Sequence, residues 1–270
     1  VTFTSIVGKT EAYGIKGYFV PSYDHTKNPP TTKISGGSVV FKNIYSISTT
    51  GTSVGIGGYS IISGGNTIFE SIVSNNKALG MGAEARFVSG TIYFPNISAT
   101  NIIYGVEGDA SSAGGIAKFI LKDVPTIYGV GGNLISKDNV SSLPTGSGLF
   151  IEISNTNSAI GVGKNTTNKG NIYLDINSAT SIYGFGTSTN CSFNTTKGTV
   201  VLTATSLNGD IIGISGHSTF GDNGKTYITI KTNGKAIAID GGNSAKTSVA
   251  NTAELYIDIN GETEEVTAIN

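Results

Sequence analysis

The sequence predicts an all-β protein, a right-handed parallel β-solenoid (β-helix) of about nine coils, and three observations carry that reading. A glycine-centred phrase returns nine times at a spacing near 25 residues. A strictly alternating strand precedes most copies. No stretch shows a sustained helical period. Fixed self-similarity at 20 to 50 residues is the mark of repeat architectures.

The phrase reads "AYGIKG" at 12, "SVGIGG" at 53, "ALGMGA" at 78, "IYGVEG" at 103, "IYGVGG" at 127, "AIGVGK" at 159, "IYGFGT" at 182, "IIGISG" at 211 and "AIAIDG" at 236. Its central residues are Gly14, Gly55, Gly80, Gly105, Gly129, Gly161, Gly184, Gly213 and Ala238, separated by 41, 25, 25, 24, 32, 23, 29 and 25 residues. The wider gaps predict longer loops near 19–36 and 136–147, in "PSYDHTKNPPTT" and "KDNVSSLPTG", both rich in turn formers. The whole chain, 1–270, then forms one domain.

The second strand alternates apolar with polar residues, as in "GLFIEIS" at 148, "NIYLDIN" at 171, "TVVLTAT" at 199, "KTYITIK" at 225 and "ELYIDIN" at 254. Period two with β-branched and aromatic residues signals a half-buried strand. Further apolar residues such as Ile62, Phe87, Ile135, Phe193 and Phe220 suggest a third, shorter strand. Stacked parallel coils about 4.8 Å apart would make a rod about 40 Å long, and parallel crossovers are overwhelmingly right-handed. An antiparallel sandwich is the competing fold; variable loops and in-phase columns argue against it.

Why place glycine in the middle of a strand, where it weakens the strand and often marks a close backbone approach? The residues before it (Tyr13, Val54, Leu79, Tyr104, Tyr128, Ile160, Tyr183, Ile212, Ile237) and after it (Ile15, Ile56, Met81, Val106, Val130, Val162, Phe185, Ile214, Ile239) are all apolar or aromatic. Both columns are expected to point inward. The glycines, with opposite parity, then face out. Gly55, Gly80, Gly105, Gly129, Gly161, Gly184 and Gly213 would line a bald, flat self-association face. Alternatively, glycine only relieves crowding. On this parity Tyr128→Asp unfolds the coil, whereas Gly129→Ser is harmless.

On the long strand, Tyr93, Phe150, Tyr173 and Tyr256 are expected outside, followed by Glu152, Asp175 and Asp258. Exposed aromatics beside carboxylates form a candidate face for a ligand or partner. They equally stiffen a sheet through cross-strand pairing. Acids are otherwise scattered. Glu262, Glu264 and Glu265 read as a solvated end, and His25 and His217 stand alone, without a metal-ligand spacing. No catalytic residue, metal or cofactor is expected, and the chain reads as a non-enzyme. Threonine ladders are short: Thr203, Thr205 and Thr229 lack continuation. Sequons at Asn96, Asn139, Asn165, Asn190 and Asn194 matter only in a glycosylating host. With 13% charged residues and a net charge of -1, no basic footprint for nucleic acid exists, and little repulsion keeps copies apart. Cys191 is the single cysteine, so no internal disulfide forms. No run of about 18 apolar residues would span a membrane as a helix.

Coils rich in Gly, Ser, Thr and Asn, and phrases such as "NIYLDINSATSIYGFG", resemble the passenger regions of bacterial autotransporters and related β-helix surface proteins. The resemblance implies an extracellular or cell-surface rod that is structural or adhesive and self-associating. It carries no catalytic residue, and no membrane insertion by this chain. The start at Val1 fits a processed protein or part of a longer one. Neither terminal strand carries a cap, which predicts either continuation in a precursor or head-to-tail stacking into filaments. The expected partner is the protein itself, with a glycan or protein of a cell surface as a further partner. A carbohydrate-binding or carbohydrate-active solenoid is the alternative.

Overall fold

The structure, a computed structural model, describes residues 1–16, 32–112, 114–136, 148–178, 180–241, 246–261 and 265–270. His25, Asn139, Glu262, Glu264 and most of the two long loops lie outside these residues. The chain is an all-β solenoid with two parallel walls. One wall is a ten-stranded sheet of the glycine phrases, from Glu11–Ile15 through Thr126–Val130 to Val266–Ile269. The sequence showed nine of these strands. The tenth, Val266–Ile269, has alanine at the central position, as Ala236–Asp240 does, and pairs in register with it. The other wall is a twenty-stranded sheet that joins the long and short strands of each turn.

The alternating strands form where expected: Gly148–Ser154, Asn171–Asn177, Gly198–Thr205, Gly224–Lys231 and Glu254–Asn260. Short strands such as Ala110–Ser112, Thr166–Asn168 and His217–Phe220 precede them. Ile62, Phe87, Phe193 and Phe220 fill the core from this position, but Ile135 points out and is 41% exposed. A further short strand, Thr32–Ile34, sits within the stretch expected to be loop and pairs with Ser60–Phe69.

Register makes each core position a ladder. The main one runs Phe3, Phe41, Phe69, Phe94, Phe119, Ile151, Leu174, Leu202, Ile228, Ile257. Its first five members are a continuous ring stack with centroids 4.8, 4.6, 4.8 and 4.7 Å apart. Beside it runs Ile6, Ile44, Ile72, Ile97, Leu121, Ile153, Ile176, Ala204, Ile230, Ile259.

These ladders correct the parity of the glycine strand. The central glycines face the core. A β-carbon on Gly55 would lie 2.8 Å from Phe94 Cε1 and 2.9 Å from Ile72 Cδ1, and on Gly80 2.8 Å from Phe119 Cε1. On Gly129 it would lie 2.9 Å from Ile151 Cδ1 and 2.6 Å from the carbonyl oxygen of Gly161. Real β-carbons essentially never come within 3.0 Å. The residues two before each glycine, among them Ala12, Ser53, Ala78, Ile103 and Ile127, are buried with it. The residues just after (Ile56, Met81, Val106, Val130) are also buried in the core, as expected. Two inward residues in succession break the alternation at the glycine. The register agrees, because paired residues flank each glycine and skip it. The column before the glycine is therefore the outer one, outside the core cluster, although Val54, Leu79, Ile160 and Ile237 are only 2%, 4%, 5% and 4% exposed there. Gly55, Gly80, Gly105, Gly129, Gly161, Gly184 and Gly213 form no external face; the sheet that approaches them closely is the opposite wall of the same rod.

The mutational order inverts accordingly. Gly129→Ser overpacks the core at a cost of about 1–3 kcal/mol or more and should lower the melting temperature clearly. Tyr128→Asp, on the outside, should cost less. Thermal melts of the two variants check the assignment.

Candidate interaction surfaces

Three surfaces carry unusual chemistry. The first is the outside of the glycine sheet. Its central column runs Tyr13, Val54, Leu79, Tyr104, Tyr128, Ile160, Tyr183, Ile212, Ile237, Thr267, one residue per rung, numbered one to ten from Tyr13. Tyr104 and Tyr128 stack with centroids 4.9 Å apart and form a ridge two rungs long. A β-carbon on Gly131 would lie only 3.0 Å from the Tyr104 ring, so an outward glycine gives that ring its bed. Lys77 Nζ sits 5.2 Å from the centre of the same ring and pairs with Glu107.

Next to the ridge lies a trough of about 430 Å³, floored by Val54, Leu79, Gly57 and Gly82 and bounded by Tyr13, Glu11, Lys77 and Glu107. It exists because rungs two and three carry aliphatic residues where rungs one and four carry tyrosine. Burial, then the charges of Glu11 and Glu107, push the Tyr13 hydroxyl above its ordinary pKa. Burial, then Tyr128 and Glu107, do the same for Tyr104.

The second surface is the outside of the long strands. Its column runs Val40, Ile68, Tyr93, Lys118, Phe150, Tyr173, Val201, Tyr227, Tyr256. Tyr93, Phe150, Tyr173 and Tyr256 thus share one ladder on the expected face. Lys118 and Tyr227, which the sequence reading passed over, belong to it as well. Lys118 binds Glu152 at 2.7 Å and lies 6.0 Å from the Tyr93 ring centre. Tyr227 donates to Glu254 Oε2 at 3.0 Å, and Lys225 pairs with the same carboxylate at 2.7 Å. Phe150 and Tyr173 stack face to face at 4.6 Å and 4°. Their touching faces are spent on each other, which leaves ring edges toward solvent and favours the stiffening role. Glu152 and Asp175 are adjacent in the next column, which continues through Thr203 and Thr229 to Asp258. Thr203 and Thr229 pair, but acids bound them on both sides, so the threonine ladder is two rungs long.

The third surface is the pair of ends. Thr2–Phe3, Ile6–Gly8 and Glu11–Ile15 each pair on one side only, as do Thr247–Val249, Glu254–Asn260 and Val266–Ile269, among the described residues. Of the eleven exposed large hydrophobics among the described residues, seven lie in these two rungs: Val1, Phe3, Val7, Val249, Tyr256, Val266 and Ile269.

Cys191 is buried and unpaired at a corner, where Gly216 donates no room for a side chain against its carbonyl. His217 accepts the backbone N–H of Lys246 through Nδ1 at 3.1 Å. Among the described residues no three His, Cys, Asp or Glu side chains gather around a point that could hold a metal. No protein-family model, curated protein or solved structure matches the chain.

The outward tyrosines are the residues the sequence reading misplaced. A size argument would have found them: a second aromatic column opposite the Phe94 and Phe119 stack overfills a two-walled core, and buried tyrosine hydroxyls need partners. For Asp175, burial first and Glu152 second raise the carboxyl above its ordinary pKa. A raised acid is disfavoured as the anion in the fold, so stability falls as pH rises from the ordinary value through the raised one. Asp175→Asn should therefore raise the melting temperature at pH 7, and the gain should vanish in acid below the ordinary carboxylate range. Melts at both pH values check this.

Proposed function

We propose that the protein is a structural β-solenoid of the cell surface or extracellular space that associates with copies of itself, end to end, into filaments. The carrying observation is the match between its two open ends. Leu255, Ile257 and Ile259 of the last rung stand in the same columns as Val1, Phe3 and Ile6 of the first. Val266 and Ile269 stand in those of Ala12 and Ile15. A second copy set in register continues the ladders of the long strands and the flanking columns of the glycine sheet with apolar residues, and pairs backbone groups that an edge strand leaves open. Such a head-to-tail contact is heterologous and grows without closing. A flanking segment of a longer polypeptide would use the same edges; the proposal commits to another copy. The extracellular placement draws on the resemblance to autotransporter passengers. The carbohydrate reading has less support, since the best aromatic pair on the long-strand face is stacked on itself.

Val40 and Lys42 donate to the carbonyls of Val1 and Phe3 at 2.9 Å. Thr2, between them, therefore turns its backbone N–H and C=O to the open side. Thr2→Pro removes that donor where edge proline is tolerated. It should leave the melting temperature nearly unchanged and abolish filaments in negative-stain microscopy and pelleting. A protein that stays monodisperse and monomeric at high concentration overturns the reading.

The junction also has one defect. Glu265, paired with Lys235 at 3.0 Å, ends the column that Glu11 begins, so stacking sets two carboxylates side by side. Glu11→Lys should lower the concentration at which filaments pellet, and added salt should do so for the unaltered protein by screening the repulsion.

A further inference from the structure

We infer that the outside of the glycine sheet is a second, lateral interface, on which another copy of this chain lies antiparallel with the Tyr104–Tyr128 ridge of each copy over the trough of the other. The inference goes beyond end-to-end growth and uses a different face. It starts from the adjacency of ridge and trough. Tyr104 and Tyr128 stand proud on rungs four and five, and the trough over Val54 and Leu79 spans rungs two and three. A surface that carries a knob next to a hole of equal length is self-complementary about a two-fold axis between them.

Take that axis between rungs three and four, parallel to the strands. It reverses the rod and keeps each column facing itself. Leu79 then meets Tyr104 of the other copy, Val54 meets Tyr128, and Tyr13 meets Ile160. Every tyrosine in the overlap faces an aliphatic residue. Neighbouring registers fail this test, and an axis between rungs six and seven, which passes it, sets the ridge over Ile212 and Ile237 and away from the trough. With the axis on rung four, Tyr104 meets Tyr104 and Tyr13 meets Tyr183. With it on rung three, Tyr13 meets Tyr128. A parallel arrangement sets every tyrosine against itself.

The flanking columns agree with the same register. On one side Glu11 faces Ser158, Thr52 faces Thr126, and Lys77 faces Ile102. On the other, Lys16 faces Gly163, Gly57 faces Gly131, and the long Glu107 faces Gly82. No like charges meet, and in the second of these columns glycine lies opposite each long side chain. Six facing rungs about 4.8 Å apart, across strands about 17 Å long, cover about 490 Å² per copy. The footprint of about 1,000 Å² over both copies lies in the range of weak, transient contacts, since Val54, Leu79 and Ile160 are already only 2%, 4% and 5% exposed in one copy. Rungs seven to ten stay free, and so do both ends.

The test separates this interface from end-to-end growth. In the Thr2→Pro protein, sedimentation equilibrium should find a monomer–dimer exchange that depends on concentration. Adding Tyr104→Lys and Tyr128→Lys should leave monomer at all concentrations, with circular dichroism unchanged. For register, Leu79→Cys, on the trough floor and 4% exposed, and Tyr104→Cys, on the ridge, are made as separate proteins. Oxidation of their equimolar mixture should give several-fold more covalent dimer than either alone. No dimer of Thr2→Pro, or cross-linking no greater in the mixture than in either alone, overturns the inference, even where filaments of the unaltered protein form. Filaments absent from the unaltered protein while the mixture cross-links would defeat only the end-to-end reading.

Discussion

The rod's thickness is set by one contact: a column without β-carbons pressed against a column of phenylalanine, isoleucine and leucine. Two walls must meet across a core in every turn, and a large residue on one side needs an absence on the other. Gly14 meets Phe69, Gly55 meets Phe94, Gly80 meets Phe119, Gly161 meets Leu174, and Gly213 meets Ile228. Each glycine also lies under the carbonyl of its neighbour one rung on, so the same absence lets the stacked strands close up at the bend. The two alanines of the column, Ala238 and Ala268, occupy the last two rungs. Large inward partners beside the glycine are rationed too: Ala12, Ser53 and Ala78 flank the stacked phenylalanines, whereas Ile103 and Ile127 appear as that stack runs out. A protein interior packs like a crystal, and here the crystal repeats along one axis.

Much of this was legible in the sequence. Repeat length, the alternating long strands, a third short strand and the in-phase columns all follow from periodicity, because register in a solenoid is set by sequence spacing. The direction of the glycine strand was not legible from alternation. Period two assumes a regular pleat, and the pleat slips at the glycine, so Tyr128 and Val130 flank one residue yet point to opposite sides. Composition misled in the same place: tyrosine and isoleucine look like core, and glycine looks like surface. Ala268 hid the tenth rung by the same logic, since a search for glycine passes over "VTAI". The aromatic ladder of the long strands was easier. Tyr93, Phe150, Tyr173 and Tyr256 sit in strands without a slip, where parity holds from end to end.

A chain so rich in Ser, Thr and Asn folds because many of those side chains bond along the rod. At one corner Asp109 Oδ1 accepts the backbone N–H of Asn133 at 2.7 Å, Asn133 Oδ1 accepts that of Asn165 at 3.2 Å, and Asn165 Oδ1 accepts that of Ser192 at 2.8 Å. Inside, Ser46 and Ser74 pair at 3.0 Å, and Asn168 donates to Thr195 at 3.2 Å. Corners break the strand ladder, and a buried backbone donor without a partner is costly. The polar residues restore what the turns take away. The same register that stacks phenylalanine on phenylalanine stacks amide on amide.

Stacking also explains why charge is scarce. Equivalent positions lie one strand spacing apart, so a charge repeated in a column repels itself along the rod. Several acids and bases avoid this by pairing across adjacent rungs, as Lys118 does with Glu152, Lys225 with Glu254, and Lys235 with Glu265. Asp175 shows the cost of the exception: it stands beside Glu152, whose base is already engaged, and its carboxyl is pushed toward the protonated form. With 13% charged residues and a net charge of -1, such a surface offers little repulsion to hold copies apart. Its interior ladders, meanwhile, end in half-buried Ile6 and Ile15 at one end and Leu255, Ile257 and Ile259 at the other. The economy of charge that lets coils stack within one chain thus leaves little to oppose stacking between chains.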